Sequence, residues 1–359
     1  MKIIAGECWL AILALALALA LCASALAQPL PQSAVLPPEF AAALARARVP
    51  REAVSVLVTA LPATVQVPDP LASAVRLSHR AQVAVNPASV MKLVTTYAGL
   101  DILGPDYTWK NRVYVDGFVL NGVLDGNLVV RGSGDPKLVL ERIEDLFKQV
   151  QAKGVREIKG DIILDRSVFN VPDTNPADFD DEPLRPYNAA PDGLLVNFKS
   201  LIFTFTPNPT TGVVTVKSEP PIAGVEIPLQ VLPGAGECGN WRGKLGADFA
   251  DPTRIQFAGR YAMACGERVW PVAYVQPQAY AARVVEAMWR AGGGVLRGTV
   301  RDGKTQPSAR LLLSSPSLPL TDIAADINKF SNNVMAQQLF LTLSAFKRGR
   351  GSFGASQGV

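Results

Sequence analysis

The sequence contains a single histidine, His79, among its 359 residues. A Ser-His-Asp hydrolase would have to use it, because the imidazole is the general base of that arrangement. His79 precedes Arg80 in a segment typical of a β-strand, and we do not expect it to be catalytic. A serine nucleophile in this chain therefore needs another base, and a lysine whose pKa is lowered by burial or by a neighbouring charge is the candidate.

Clusters of basic residues and of metal ligands are also lacking. The 35 Lys and Arg residues and the 31 Asp and Glu residues give a formal net charge of +4, and the basic residues are scattered. This distribution argues against nucleic-acid binding, which needs a localised positive surface. The sequence has no Cys-x-x-Cys pair and no His/Cys group at ligand spacing, so we expect no metal and no cofactor.

The one long apolar run, residues 9–21, is too short to cross a bilayer comfortably. Lys2 precedes it, and Ala25 and Ala27 occupy the positions that a signal peptidase recognises. The pattern predicts a signal peptide over residues 1–27, cleavage before Gln28 and a periplasmic mature protein. A membrane anchor is one alternative. A lipoprotein is another, although Cys22 follows a leucine where such a site needs a small residue.

Only two of the four cysteines, Cys238 and Cys265, remain after this processing. An even pair in an exported protein favours a disulfide. A bridge closing a loop of this length would stabilise the fold by roughly 3 kcal/mol in the chain-entropy model. Two buried free thiols are the alternative.

Ser89 and Lys92 form a Ser-x-x-Lys pattern at the start of a predicted helix over residues 89–100. Residues three apart lie on one helix face, so the lysine can reach the serine hydroxyl as its general base. Free N–H groups at the helix start favour negative charge developing there. The tetrapeptide alone is more typical of an N-cap serine with a solvated lysine.

A second polar cluster, Ser331 to Asn333, interrupts a helical pattern at a predicted helix–helix turn. The Ser331 hydroxyl there can relay a proton, and the Asn333 carboxamide can hold an amide substrate. Ordinary capping of the helix over residues 334–344 is the alternative. Ser-x-x-Lys followed by Ser-x-Asn is the signature of serine penicillin-recognising enzymes, and the pair is specific where neither motif is so alone.

Three segments, residues 86–92, 132–136 and 326–336, resemble the class C low-molecular-mass penicillin-binding proteins. These are D-alanyl-D-alanine carboxypeptidases and endopeptidases of the cell envelope. The resemblance implies a serine carboxypeptidase or endopeptidase that acts on peptidoglycan stem peptides through an acyl-enzyme and is acylated by β-lactams. It implies that Ser89 attacks, Lys92 takes the proton, Ser331 passes a proton to the leaving amine and Asn333 positions the peptide.

The resemblance also implies an α/β fold with a split transpeptidase-like catalytic domain. Its first part would span residues 28–108 and its second part residues 316–359, with a large mixed, mostly β insertion of two nested subdomains over residues 109–315. Within the insertion, two Asp-Gly pairs at residues 116–117 and 125–126 are typical of turns. Gly132 to Pro136 lacks the ending of a phosphate loop, which favours a tight turn.

A loop of the insertion is expected to reach the active site. Residues 179–191 are the candidate, and Asp181, Glu182 and Tyr187 are the candidate contacts to a substrate amine. An acidic surface loop without a ligand is the alternative.

The family's third motif, Lys-Thr-Gly, does not occur in the sequence. Lys304-Thr305-Gln306 precedes the second motif and lacks the glycine. We interpret the sequence as a truncated product or fragment and expect it to react with penicillin poorly or not at all, since each oxyanion donor typically contributes about 10²–10³ in rate. Two other functions remain open: a β-lactamase, against which the long insertion argues, and a non-catalytic envelope protein that binds peptidoglycan.

Overall fold

The computed structural model describes residues 35–60 and 75–359. The predicted signal peptide, residues 1–27, lies outside the described residues. The chain forms two compact units that meet in sequence between Ala88 and Ser89, and each is described by itself below.

The first unit has one helix and a two-stranded antiparallel sheet in its described part. These elements are α1 (Pro38–Arg46), β1 (Val56–Thr59) and β2 (Val75–His79). Residues 81–85, whose alternating pattern is typical of a strand, do not form one. Arg80 adopts a φ of +51°, and the Val83 N–H donates to the Arg80 carbonyl at 3.0 Å, so the chain turns where an extended strand was expected.

The second unit combines helices with two larger sheets. Its helices are α2 (Met91–Leu103), α3 (Leu140–Ala152), α4 (Trp241–Leu245), α5 (Pro277–Ala291), α6 (Leu320–Phe330), α7 (Asn333–Arg348) and α8 (Phe353–Gln357). Its strands are β3 (Lys110–Leu120), β4 (Val123–Arg131), β5 (Glu157–Ile158), β6 (Ile162–Asp165), β7 (Ser200–Asn208), β8 (Val213–Glu219), β9 (Gln230–Gly234), β10 (Ala247–Asp248), β11 (Gln256–Phe257), β12 (Arg260–Ala262), β13 (Arg268–Ala273), β14 (Val295–Leu296), β15 (Val300–Asp302) and β16 (Arg310–Pro316).

The larger sheet has the order β14-β5-β4-β3-β16, with β6 pairing both β4 and β15. The smaller sheet has the order β12-β9-β8-β7-β13. One apolar cluster runs through both, and includes Leu128, Ile162, Phe203 and Trp289. The strand β4, the helix α3 and the strands β5 and β6 follow one another along the chain, an alternation typical of an α/β arrangement.

The hairpin between β3 and β4 turns at a different place from the one predicted. Its turn is Asn121-Gly122, with φ values of +51° and +86°, the left-handed pair of a tight hairpin. The two Asp-Gly pairs instead lie in mid-strand, where Gly117 is the register partner of Gly126. A Cβ on Gly117 would lie 2.2 Å from the carbonyl oxygen of Asp125, so these glycines allow the two backbones to approach.

The first and last strands of the second unit, β3 and β16, lie side by side. β3 and β16 pair antiparallel, with Lys110 opposite Pro316. Just outside them, Trp109 and Ser317 are joined by backbone and hydroxyl hydrogen bonds of 2.8 and 2.9 Å. The chain therefore leaves the helical part of the unit and returns to it at one place.

The helices α2, α6 and α7 pack around a smaller apolar cluster centred on Trp109, Ile323, Ile327 and Leu339. Gly99 on α2 permits a close approach to α7, because a Cβ there would lie 3.0 Å from the Leu339 side chain. This packing places the start of α2 beside the start of α7.

Candidate active site

Ser89 and Lys92 lie at the start of α2. A 3₁₀ turn, Ala88–Val90, precedes the helix, so Ser89 stands just before it and Lys92 in its first turn. The Lys92 Nζ donates to the Ser89 Oγ at 3.0 Å. Ser89 is exposed, whereas Lys92 is only 9% exposed. An exposed hydroxyl is thus in contact with a buried amine.

Asn333, the first residue of α7, contacts the same lysine from a position 241 residues further along the chain. Its Oδ1 accepts from the Lys92 Nζ at 2.6 Å. The break between α6 and α7 sets this position: Ser331 ends α6 with a φ of +52°, and the Asn332 side chain caps α7 by accepting from the Met335 N–H at 3.0 Å. The structure therefore brings Ser89, Lys92 and Asn333 together.

Ser331 is the predicted residue that the structure leaves apart from this group. It is exposed at the αL position between the two helices, two residues from Asn333. Within the described part of the chain, its hydroxyl makes no hydrogen bond to Ser89 or Lys92. Its predicted role in proton transfer stays a prediction.

Burial lowers the pKa of Lys92 from its usual value of 10.5. The two groups that its ammonium contacts, a hydroxyl and a carboxamide oxygen, are both neutral. Over residues 35–60 and 75–359, no carboxylate forms an ion pair with it. Desolvation without a counter-ion favours the neutral amine, which is the form that can accept a proton from a serine.

A second link between the helices lies one turn further along α2, and sequence reasoning missed it. The hydroxyl of Thr96 and the carboxamide of Asn328 on α6 are 3.2 Å apart, oxygen to nitrogen. Thr96 is buried and also donates to the Lys92 carbonyl at 3.0 Å. Asn328 lies within the segment that carries the family resemblance, and that was the signal available for it.

The turn Gly132 to Pro136 helps to hold α6 and α7. Asp135, whose pKa is raised by burial, accepts from the Asn111 side chain and the Lys137 N–H, each at 2.9 Å. Lys137 then reaches α6, where its Nζ lies 2.5 Å from the Asp326 carboxylate. The predicted tight turn is therefore also a tie to the helix that ends at Ser331.

Gln338 supplies the tie to α7. It is fully buried, and its carboxamide accepts from the Asp192 N–H at 2.8 Å and donates to the Asp192 carbonyl at 2.9 Å. No motif in the sequence indicated this residue. It locks the chain beyond the 179–191 loop to the helix that begins at Asn333.

The three candidate contacts in that loop face different surroundings. The Tyr187 hydroxyl donates to Asp180 at 2.7 Å, and Glu182 pairs with Arg185 at 3.3 Å. Asp181 is exposed, and its carboxylate has no hydrogen-bond partner among the described residues. None of these three side chains contacts Ser89 or Lys92.

The end of the loop nevertheless lies near the site. Ala189 and Leu195 pack against Val334, the neighbour of Asn333 on α7. The short 3₁₀ turn Pro186–Asn188 also contacts α7. The loop is therefore anchored beside Asn333, although its polar side chains point to partners of their own.

Two further findings lie outside this site: a disulfide and the absence of a membrane-spanning helix among the described residues. Cys238 and Cys265 form a disulfide, with Cα atoms 4.6 Å apart. No helix in the described ranges is long and apolar enough to span a membrane.

Comparison with known proteins decides the family. A family model described as the D-Ala-D-Ala carboxypeptidase 3 (S13) family matches residues 57–359. The chain belongs to this family. It is 27% identical over 256 residues to the D-alanyl-D-alanine carboxypeptidase DacB of Haemophilus influenzae, a match that covers 70% of this chain and 53% of that protein. It is 28% identical over 288 residues to a D-alanyl-D-alanine carboxypeptidase of Actinomadura, covering 75% of this chain and 51% of that protein.

The fold of this S13 family member is confirmed by solved structures. The crystal structure of penicillin-binding protein 4 from H. influenzae matches with a TM-score of 0.63 at 24% identity, covering 79% of this chain and 63% of that one. The same protein complexed with a β-lactam matches with a TM-score of 0.57 at 23% identity, covering 79% and 61%. The predicted α/β fold is thus confirmed. The chain spans little more than half the length of the curated relatives, 53% and 51%.

Proposed function

We propose that Ser89 is the nucleophile of a D-alanyl-D-alanine peptidase that acts on peptidoglycan stem peptides. The observation that carries the proposal is the position of the Lys92 Nζ, in contact with both the Ser89 Oγ and the Asn333 Oδ1. Membership of the S13 family and the two carboxypeptidase relatives support it.

In this reaction Lys92 is the general base. Its lowered pKa makes the neutral amine available, and the amine takes the Ser89 proton as the oxygen attacks the carbonyl between two D-alanine residues. The carbonyl becomes a tetrahedral oxyanion beside the start of α2, where helix N–H groups favour negative charge. The C–N bond then breaks, and the acyl group stays on Ser89.

Asn333 is proposed to have two tasks. Its Oδ1 holds the Lys92 ammonium in place, and its NH₂ group is free to donate to a substrate carbonyl, since a carboxamide carries both functions. Ser331, exposed at the break between α6 and α7, would pass the proton from Lys92 to the leaving D-alanine amine. Water then attacks the acyl-enzyme and regenerates Ser89.

β-Lactams would acylate the same serine, since their ring amide presents an equivalent carbonyl. Asp181, Glu182 and Tyr187 are proposed to contact an amine of the stem peptide. The anchoring of Ala189 on Val334 supports this, because it holds the loop next to Asn333. The proposal further includes a signal peptide over residues 1–27, a periplasmic location, and catalytic parts at 28–108 and 316–359 around an insertion at 109–315.

The test is to find which residue carries the adduct after prolonged incubation with benzylpenicillin. Mass spectrometry of the intact chain and of its peptides should place one penicilloyl group on Ser89. The Ser89→Ala variant should carry none. Because the readout is the position of the adduct and not its rate of formation, it does not require the Lys-Thr-Gly motif that this sequence lacks.

The matched control is Ser331→Ala, which removes the other serine of the two motifs and leaves Lys92 and Asn333 in contact. An adduct should still form on Ser89 in that variant, more slowly. An adduct on any other residue, or an adduct that survives Ser89→Ala, would contradict the proposal.

A further inference from the structure

The segment that contains the candidate substrate loop is attached at both of its ends to α7 or to the residues just after it. At its start, the Asn170 N–H donates to the carbonyl of Gly351, which follows α7, at 2.7 Å. At its end, the Gln338 carboxamide pairs with the backbone of Asp192. Because α7 begins at Asn333, the same helix presents a site residue and holds the loop.

Between these attachments the segment makes few hydrogen bonds to other parts of the chain. Among the described residues, the hydrogen bonds of residues 171–191 stay within that range, apart from one that the Ala273 N–H donates to the Leu184 carbonyl at 2.9 Å. Bonds within the loop fix its shape but not its position. Its position therefore depends on the two ends and on the packing of Ala189 against Val334.

The tight turn that carries the family resemblance lies against the far end of the loop. The Gly134 N–H donates to the Gly193 carbonyl at 2.9 Å. A Cβ on Gly132 would lie 2.1 Å from the same oxygen, so only glycine allows the turn to approach this closely. The turn thus holds the residue that follows Asp192, as Gln338 holds Asp192 itself.

Gln338 is fully buried, and both ends of its carboxamide are used on one residue. Its Oε1 accepts from the Asp192 N–H at 2.8 Å, and its Nε2 donates to the Asp192 carbonyl at 2.9 Å. The Asp192 carboxylate is held separately, in ion pairs with Lys199 and Arg166. If the loop shifted by one residue along α7, both bonds would break and a buried carboxamide would lose its partners, which is costly. Gln338 therefore fixes the register of the loop end on α7.

We propose that Gln338 is a positioning residue of the Ser89 site. It holds the end of the 179–191 loop on the helix that begins at Asn333, and it thereby sets how far the polar side chains of the loop lie from a peptide bound there. This inference rests on the substrate role that the proposed function gives to the loop. Gln338 touches no reacting group, so its effect falls on recognition of the substrate amine and not on the contact between Lys92 and Ser89.

The first test measures hydrogen exchange of the full 359-residue chain by mass spectrometry, without substrate. Gln338→Met keeps the length of the side chain but removes both hydrogen bonds. Exchange over residues 179–195 should become about tenfold faster, as expected when one or two buried hydrogen bonds no longer oppose local opening. Exchange in α3 should stay unchanged.

Thr342→Val is the matched control, because Thr342 lies one turn further along the same helix. It is 1% exposed, and its hydroxyl accepts from the Trp109 Nε1 at 2.9 Å, away from the loop. The variant loses a buried hydrogen bond of α7 with little change in side-chain size. It should leave exchange over residues 179–195 as in the unsubstituted chain.

Gln338→Glu provides a rescue that depends on pH. A protonated carboxyl has one acceptor and one O–H donor, as the carboxamide uses here, whereas a carboxylate lacks the donor. Burial and the neighbouring Asp135 and Asp192 raise the pKa of the introduced carboxyl above the ordinary value of about 4.3, while Asp192, with its pKa held below 3.8 by Lys199 and Arg166, stays ionised. Loop protection relative to the unsubstituted chain should therefore be greater at about pH 5 than at about pH 8.

The second test compares two forms of an Nα-acetyl-L-lysyl-D-alanyl-D-alanine peptide as NMR ligands, one with its side-chain amine free and one with that amine acetylated. The unsubstituted chain and Thr342→Val should bind the free amine more tightly. Gln338→Met should lose about two- to fivefold of this preference, the effect of one exposed charge contact. Neither test requires acylation, so both stand if mapping of the penicilloyl group fails to find Ser89.

The exchange results overturn the proposal if Gln338→Met leaves the loop unchanged, if Thr342→Val accelerates it equally, or if Gln338→Glu shows the same relative protection at both pH values. Loss of protection throughout the second unit in the Gln338 variants would assign the residue to the core and not to the loop. An unsubstituted chain without preference for the free amine would overturn the substrate role of the loop, and with it the selectivity assigned to Gln338.

Discussion

Two buried lysines of this chain have opposite surroundings. Lys92 and Lys199 are 9% and 7% exposed. Lys92 lies in the first turn of α2, and Lys199 ends a 3₁₀ turn, Asn197–Lys199. Lys92 contacts a hydroxyl and a carboxamide oxygen, both neutral. Lys199 contacts the Asp192 carboxylate at 2.9 Å.

The difference shows how the partner of a buried lysine sets what it can do. Without a counter-ion, burial lowers the pKa of Lys92, and the amine is ready to take a proton. At the other cluster, burial works to raise the pKa of Asp192, but the charges of Lys199 and Arg166 outweigh it and hold that pKa below its usual 3.8. There the charges stay, because each is held in an ion pair.

The largest expected effect comes from replacing Lys92 by arginine. Arginine keeps the positive charge but cannot give up its proton at ordinary pH. We expect Lys92→Arg to slow formation of the Ser89 penicilloyl adduct by about 10²–10⁴-fold, the usual contribution of a general base. The rate is measured by intact-mass spectrometry over time.

Lys199→Arg is the matched control, because Arg can still pair with Asp192. It should form the adduct at the rate of the unsubstituted chain. If the two variants were slowed equally, the distinction between a proton-transfer lysine and an ion-pair lysine would be wrong.

The second effect concerns stability, and here the larger loss is expected at the Lys199 ion pair and the smaller loss at Lys92. Asp192→Asn leaves Arg166 and Lys199 together without their shared anion. Removing one partner of a buried ion pair typically costs about 3–5 kcal/mol, and we expect a loss of that size in the free energy of unfolding by urea. Lys92→Met removes a desolvated ammonium that has no counter-ion, so its hydrogen bonds are the main loss and the change should stay within about 1 kcal/mol. Equal losses in the two variants would contradict the comparison.

The Lys92 site could be predicted from the sequence because its residues lie in two short motifs. Ser89 and Lys92 are three apart on one helix, a spacing that local geometry turns into a contact. Asn333 is 241 residues from Lys92, and no local rule connects them. The resemblance to the penicillin-binding family supplied that link, and the structure places the two side chains 2.6 Å apart.

The Arg166–Asp192–Lys199 cluster gave no signal in the sequence. Its members are scattered, and an isolated charged residue is normally solvated. The prediction of turns at Gly117 and Gly126 was wrong for a related reason. These glycines lie opposite each other in paired strands and allow the two backbones to approach closely. In both cases the decisive neighbour is distant in sequence, and composition does not reveal it.

A pH profile gives the third prediction. In the proposed mechanism the neutral Lys92 amine is the active form, so the rate of adduct formation at Ser89 should rise with pH and level off above the pKa of Lys92. Because burial lowers that pKa, the levelling should occur below pH 10.5. Below the pKa the rate should fall tenfold for each pH unit, as the fraction of neutral amine does.

The stability profile should respond in a different pH range. The lowered pKa of Asp192 contributes stability that is present above pH 3.8 and is lost as the pH falls through its folded-state value. Urea unfolding between neutral and acid pH measures it, with Asp192→Asn as the variant that lacks this loss. Adduct formation that peaks in acid would contradict the assignment of Lys92 as the base.

The smallest effect tests how the start of α7 holds Asn333 against Lys92. The Asn332 Oδ1 caps this helix by accepting from the Met335 N–H at 3.0 Å. Asn332→Ala removes the cap and should cost about 1 kcal/mol in the free energy of unfolding. It should also slow adduct formation at Ser89. Asn333 is the next residue, and its hydrogen bond with Lys92 depends on the geometry of that first turn. Asn332→Asp restores a capping oxygen and should recover both quantities, since Asp caps a helix as well as Asn does. A matching cap at Ser352, whose Oγ accepts from the Ala355 N–H of α8 at 3.3 Å, provides the control. Ser352→Ala should cost a similar stability without changing the rate, since α8 contributes no side chain to the Ser89 site. Equal slowing in both cap variants would show that the rate follows overall stability and not the position of Asn333.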